Sequence, residues 1–355
     1  MLRWMTKILD RLGSPELDWI QVEVTSRCNA ACSYCPQPLL YKKEHMPLEL
    51  FKNLIPFLGY TNLVYLQGWG EPLLNPDLFA MIRLCKEKGK RVGFTTNGML
   101  LNKKTVLKLV DLETDIISVS LAGITPETHN RIRKGTDFTK VIENLELLQR
   151  IKLQKRTPFP DLHFAYLMLV SNLHELKGAV EMCKRLGAKQ IVCSNLTFII
   201  DEALCPEAFF VREEERKRFT SVLDEIAEEA RRENLLFAFP NPVPQKQPAN
   251  CSENICSSCV VSVTGEVSPC VFTSPTLLQA DSLTRCKPLS HIYQNIFVPC
   301  YPLSFGNITN ESLTGIWNKK KYQRFRKIHD PDATIPDTGR MSLPQSCASC
   351  YKKEA

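Results

Sequence analysis

Three cysteines fall within a few residues of one another near the start of the chain. Cys28, Cys32 and Cys35 stand in Val24-Thr25-Ser26-Arg27-Cys28-Asn29-Ala30-Ala31-Cys32-Ser33-Tyr34-Cys35-Pro36, a C-x3-C-x2-C spacing. An apolar stretch over 20–24 precedes them and reads as a strand, so the thiols sit on a strand-end loop. Three thiolates this close can wrap one small inorganic cluster. A structural zinc site or a closed iron–sulfur cluster takes four protein ligands. Three leave one metal corner open, and an open corner is where chemistry happens. A second cysteine set, Cys251, Cys256, Cys259, Cys270, Cys347 and Cys350, lies at the other end of the chain. An open three-thiolate site together with a separate cysteine-rich site points to a redox enzyme.

Cysteines at this density mean disulfides in a secreted chain and metal ligation in an intracellular one. Residues 1–18 hold only short apolar stretches broken by Lys7, Asp10, Arg11 and Glu16, which is not a signal peptide. No apolar run is long enough to span a membrane. The expectation is a cytoplasmic, metal-ligating protein with no membrane partner. Cys85, Cys183 and Cys193 sit inside apolar patterns and read as plain core residues. The net charge of +7 is dispersed. Its densest run, over 319–327, reads as a solvated helix face, so nucleic acid is not an expected partner.

From residue 20 to about 200, strand-like and helix-like segments alternate. Strands are expected over 20–24, 63–67, 91–95, 116–121, 162–170 and 190–194, and helices over 48–58, 77–88, 103–111, 138–153, 174–186 and 213–233. Such βα units in series predict a parallel sheet with helices outside and active-site residues in the loops at the strand C-terminal ends. Residues 238–250 hold four prolines and read as a stiff linker. The expected organisation is an N-terminal extension over 1–19, a partial (β/α)6 barrel over 20–237, the linker, and a loop-rich C-terminal domain over 251–355 with one helix around 312–328.

The strand ends carry further suggestive residues. Gly68-Trp69-Gly70-Glu71-Pro72 follows the second strand, where glycine lets backbone approach a ligand and Glu71 can hold an ammonium group. Thr95-Thr96-Asn97-Gly98, Ser120 and Ser171-Asn172 offer small hydroxyl and amide groups at later strand ends.

This constellation resembles the radical S-adenosylmethionine (SAM) superfamily over roughly 18–200. The match is C-x3-C-x2-C after strand 1 with Tyr34 before the third cysteine, Gly-Glu-Pro after strand 2 and Thr-Asn-Gly after strand 3. One departure is Trp69, where the family's usual paired glycine stands. The resemblance implies that Cys28, Cys32 and Cys35 hold a 4Fe–4S cluster whose open iron chelates SAM. It implies that Tyr34 lies beside the adenine and that Gly70 and Glu71 contact the SAM ammonium. Ser120 and Thr96 then face ribose or carboxylate, Asn172 an adenosyl group, and Arg133 the SAM carboxylate.

In the C-terminal set, Cys251-x13-Gly265-x4-Cys270 is followed by Gly306-Asn307-Ile308, Ile316-Trp317 and Cys347-x2-Cys350. Thr264-Gly265 between short apolar runs reads as a hairpin that brings Cys251 and Cys270 together. This is similar to the SPASM/twitch extension of radical SAM enzymes. The resemblance implies one auxiliary 4Fe–4S cluster held by Cys251, Cys270, Cys347 and Cys350. Cys256 and Cys259 form their own C-x2-C, which can replace Cys251 or, with Cys286 or Cys300, support a second site. A zinc knuckle is the remaining alternative for this set.

The functional expectation follows from the resemblance. It is a radical SAM oxidoreductase of maturase type that cleaves SAM to a 5′-deoxyadenosyl radical and abstracts hydrogen from a peptide or protein, with an electron donor such as flavodoxin or ferredoxin. The alternative is a small-molecule substrate (a sugar, nucleoside or cofactor precursor), which a start too short for a leader-binding domain favours. A third reading, from another class, is a non-enzymatic iron–sulfur or zinc protein that shuttles electrons or binds RNA.

Overall fold

The computed structural model describes residues 17–240, 251–330 and 343–353. Its strands are β1 (Leu17–Val22), β2 (Thr61–Tyr65), β3 (Arg91–Thr96), β4 (Ile116–Leu121), β5 (Asp161–Met168), β6 (Gln190–Asn195) and β7 (Leu236–Ala238), then β8 (Ser258–Val261), β9 (Glu266–Ser268), β10 (Leu278–Asp281), β11 (Arg285–Pro288), β12 (Ser290–Tyr293), β13 (Ile296–Pro299) and β14 (Gly306–Asn307). The helices are α1 (Leu48–Lys52), α2 (Leu78–Glu87), α3 (Lys103–Asp111), α4 (Pro126–Ile132), α5 (Phe138–Lys155), α6 (Leu173–Leu176), α7 (Ala179–Leu186), α8 (Glu213–Arg232), α9 (Leu313–Trp317), α10 (Lys320–His329) and α11 (Gln345–Ala348).

β1 to β7 lie side by side in chain order, each parallel to the next. One face of these strands packs under the helices through Val64, Phe94, Ile117, Val119, Phe164, Tyr166 and Ile191, all essentially inaccessible to water. Burying each such side chain contributes roughly 1.5–3 kcal/mol. The alternate residues Tyr65, Thr95, Ser118, Ser120, His163 and Ser194 point to the concave side and line one cavity. The fold is an α/β partial barrel.

Five elements differ from expectation. The helix expected over 48–58 stops as α1 and continues as a 3-10 turn over Ile55–Tyr60, because Pro56 lacks the N–H a longer helix needs. The helix expected over 174–186 is α6 and α7, broken at Lys177 and Gly178. The helix expected over 312–328 is α9 and α10, and Arg326 folds back across that bend with its guanidinium 3.6 Å from the Trp317 ring centroid. α4 and β7 were not expected: both are short, and Leu236 at the start of β7 is exposed.

The C-terminal segment is not separate from the barrel sheet. β8 adds parallel to the outer edge of β1, pairing Ile20 with Cys259, and β9 and β14 continue the sheet antiparallel. The expected hairpin around Thr264-Gly265 is β8–β9, with Val261 opposite Val267 and Gly265 at φ +87°. Glu23, just past β1, ties the junction: its carboxylate accepts from Trp69 N at 3.0 Å and Val263 N at 3.3 Å, and from the Thr276 hydroxyl. Two further hairpins, β10–β11 and β12–β13, cover this end. Most of the expected N-terminal extension and proline-rich linker lies outside the described residues.

Candidate active site

The cysteine loop is held by its backbone. Ala31 N donates to Lys134 O at 2.7 Å and Ser33 N to Ile132 O at 2.9 Å, so the loop is hung from the end of α4. Ser26 N pairs with Glu44 O at 2.9 Å, and the Asn75 amide clamps Val24 O and Met46 O from below. Cys28 and Cys35 are partly exposed and Cys32 is 9% exposed. Burial pushes the Cys35 thiol up to about 12 and raises that of Cys28 as well. Metal loading therefore has to displace protons from the thiols.

The loop after β2 lies directly against this one. Glu71 N donates to Arg27 O at 2.8 Å. A Cβ on Gly70 would stand 2.4 Å from Thr25 O and 2.5 Å from Arg27 O, so only glycine permits this approach. Gly68 is similarly constrained, by the stem of Glu23 at 2.1 Å. Between these glycines Trp69 turns away and packs its ring 6.0 Å from Phe198 and 5.8 Å from Phe272. The tryptophan at this departure from the paired glycine thus builds an aromatic wall.

Three of the expected ligand residues make hydrogen bonds inside the protein. The Glu71 carboxylate is 2% exposed and accepts from the Thr96 hydroxyl at 2.7 Å, Asn97 N at 2.7 Å and Leu73 N at 3.2 Å. Burial pushes its pKa up, and these hydrogen bonds with Arg133 work against that rise. Its geometry is that of a brace between strand ends. Thr96, 1% exposed, engages its hydroxyl with Glu71 and with Gly98 N at 3.1 Å. Asn172 is fully buried, with its amide committed to Leu167 O, Ala122 O and Leu169 N, and it lies outside the cavity. It closes the turn after β5.

Tyr34, Ser120 and Arg133 do line the cavity, beside Cys35. Arg133 is 7% exposed, donates to the Tyr34 hydroxyl, and lies near all three thiols of the loop. The cavity encloses about 430 Å³. One side is polar: Tyr65 and Thr95 share a hydrogen bond of 3.0 Å, and Thr95 donates to Gln67 Oε1 at 2.8 Å. The other side is apolar, formed by Trp69, Leu196, Phe198, Val271 and Phe272. Among the lining residues Arg133 is the one side chain with a permanent charge. Gln67, Phe198 and Phe272 were not expected in the site. The alternation of polar residues along β2 to β5 carried a signal for the polar side, whereas nothing local marks the aromatic wall.

The C-terminal cysteines fall into two groups. Cys251, Cys270, Cys347 and Cys350 line one pocket, walled by Ile255, Phe272, Phe325 and Leu343. Cys251 and Cys350 are pushed up to about 12 by burial. This donor set, soft thiols in an apolar enclosure, fits a closed iron–sulfur cluster. Cys256 and Cys259 do not line it: Cys256 Sγ lies 3.6 Å from Arg326 O, and Cys259 is buried on β8. Cys300 instead donates to Phe272 O at 2.7 Å. Among the described residues, no three His, Cys, Asp or Glu side chains converge on a single ion. Phe272, two residues past Cys270, belongs to both this pocket and the barrel cavity.

Replacing Glu71 by alanine tests its bracing role. The change strands the Thr96 hydroxyl and the Asn97 and Leu73 amides, each unpaired buried group costing about 1–3 kcal/mol. The melting temperature is expected to fall markedly with no SAM present, as read by differential scanning fluorimetry. An unchanged melting temperature with SAM binding alone lost would restore the side chain as a direct ligand.

Comparison with known proteins agrees with this geometry. Residues 22–183 match the Radical SAM superfamily, and residues 251–351 match SPASM, an iron–sulfur cluster-binding domain. A tungsten-containing aldehyde ferredoxin oxidoreductase cofactor-modifying protein of Pyrococcus furiosus is 24% identical over 344 residues, covering 96% of this chain and 88% of the relative. An AdoMet-dependent heme synthase of Methanosarcina barkeri is 25% identical over 359 residues, covering 92% and 89%. In fold, the chain is similar to Streptococcus suis SuiB bound to S-adenosylmethionine, with TM-score 0.64, 13% identity and coverage of 96% and 71%. It is also similar to anSMEcpe with bound AdoMet, with TM-score 0.62, 16% identity and coverage of 94% and 91%.

Proposed function

This chain belongs to the radical SAM superfamily and carries a SPASM domain, and from that premise we propose that it abstracts a hydrogen atom from a small organic molecule of cofactor-precursor type. Cys28, Cys32 and Cys35 would hold the first 4Fe–4S cluster, and Cys251, Cys270, Cys347 and Cys350 the auxiliary one. When bound, the first cluster would supply SAM chelation and the electron for reductive cleavage of SAM to methionine and a 5′-deoxyadenosyl radical. Tyr34 and Ser120 serve the adenosyl group from the cavity wall, and Arg133 serves a carboxylate. The glycine-enabled approach of the loop at Gly70 brings its backbone to the ammonium. The aromatic wall excludes water from the reacting side. An electron donor such as flavodoxin or ferredoxin supplies the reducing equivalent. No helix among the described residues is long and apolar enough to cross a membrane.

The observation that carries the substrate reading is the cavity. SAM and substrate would share this cavity of about 430 Å³, which leaves room for only a compact substrate, and its polar and aromatic sides suit a planar or sugar-like one. The relatives matched over most of their length point the same way, since their names give a cofactor-modifying protein and a heme synthase. A maturase-type oxidation or cross-link of a peptide is the second reading. It draws on the similarity in fold to SuiB, which has also been solved bound to precursor peptide SuiA.

The test uses anaerobically reconstituted protein with reductant, SAM and a fractionated cell extract in deuterated growth medium. The low-molecular-weight fraction is expected to stimulate 5′-deoxyadenosine release and to place deuterium in it. Stimulation by the retained, peptide-containing fraction alone would replace the small-molecule reading with the peptide one.

A further inference from the structure

His329, at the C-terminal end of α10, lines the same pocket as Cys251, Cys270, Cys347 and Cys350. It is 7% exposed, and among the described residues neither ring nitrogen has a hydrogen-bond partner. Its ring packs against Phe325, with centroids 4.8 Å apart. A buried polar group with no partner costs about 1–3 kcal/mol, so an imidazole in this state calls for a partner beyond the described residues. The four thiols already give a complete ligand set for a cubane cluster, so the imidazole is not needed as a ligand. An imidazole always carries at least one N–H, and cluster sulfurs accept hydrogen bonds.

We infer that His329 donates a hydrogen bond to a sulfur of the auxiliary cluster and thereby raises that cluster's reduction potential. This rests on the reading of the four-cysteine pocket as a cluster site. A donor directed at sulfur stabilises the reduced, more negative cluster more than the oxidised one, so its loss lowers the potential. The position also bears on electron traffic, because Phe272 separates this pocket from the barrel cavity.

The experiment places His329→Phe and His329→Asn in full-length chains that also carry Cys28→Ala, Cys32→Ala and Cys35→Ala, so that only the auxiliary cluster contributes signal. Iron content, then an EPR-monitored redox titration, is read for each. All three chains are expected to keep about four irons. His329→Phe retains the ring packing without the donor, and its potential is expected to move to a more negative value. His329→Asn keeps an N–H, and its potential is expected to lie near that of the histidine parent. Equal potentials in the Phe variant and the parent would overturn the hydrogen bond, as would an Asn variant that tracks the Phe variant. Loss of iron from both would make His329 a ligand instead. A His329 parent that holds no iron would overturn the cluster reading itself, an outcome separate from an unmoved potential.

Discussion

Replacing Cys28, Cys32 and Cys35 together with alanine is expected to halve the iron of the reconstituted chain, from about eight atoms to about four, and to abolish 5′-deoxyadenosine formation. The fold should survive this change. The cysteine loop is fixed by main-chain bonds from Ala31 to Lys134 and from Ser33 to Ile132, and none of these uses a thiol. Gly70 and Glu71 also contact this loop through backbone atoms of Thr25 and Arg27. Circular dichroism of the variant should therefore match that of the parent, while the iron count and SAM cleavage fall. If the triple variant retained all its iron, the assignment of these residues as ligands would be wrong. Stoichiometric zinc with no iron chromophore in the parent, purified without oxygen, would point to a structural metal site instead.

Changing Cys347 and Cys350 to alanine is expected to remove the other four or so irons while leaving SAM cleavage intact. Substrate turnover should fail, because the proposed auxiliary cluster, in the pocket that shares Phe272 with the barrel cavity, would be lost. The same change should loosen the end of the chain. About a hundred residues separate Cys251 from Cys350, and tying so long a loop constrains the unfolded chain considerably. Other ties persist: Ser252 N to Lys352 O at 2.9 Å, Lys352 to Glu253 at 2.8 Å, and His291 Nε2 to Ser349 O at 2.7 Å. Limited proteolysis is thus expected to clip residues 343–353 sooner than in the parent, with the barrel left whole. Changing Cys256 and Cys259 should spare the iron. Should that pair remove a cluster while Cys251→Ala does not, the ligand set would have to be redrawn around 256–259.

Residues whose role depends on local chain geometry were legible in the sequence. The cysteine loop, Gly-Glu-Pro and Thr-Asn-Gly each follow an apolar strand, and a parallel strand delivers its following loop to one end of the sheet. The serial βα pattern likewise gave the barrel, because strands covered by helices read as near-continuous apolar runs. What stayed hidden depends on partners distant in sequence. Thr96 and Asn172 are polar residues at strand ends, as ligands would be. Their polarity says nothing of direction, and Glu71 in one case and the Leu167, Leu169 and Ala122 backbone in the other take their hydrogen bonds. The docking of β8 on β1 joins residues near 20 to residues near 260, and no local period encodes that pairing. Trp69 was visible as a departure, yet its meaning came only with Phe198 and Phe272, each far along the chain. His329 sat unremarked in a basic helix until the pocket placed it beside four cysteines.

The central claim is that the open three-cysteine site cleaves SAM reductively. Its most direct test is liquid chromatography of the anaerobically reconstituted parent chain incubated with SAM and a strong reductant. The account predicts 5′-deoxyadenosine and methionine in equal amounts, formed slowly without substrate, and neither product from the Cys28, Cys32 and Cys35 alanine variant. Intact SAM after incubation with a parent chain that carries its full iron would contradict it.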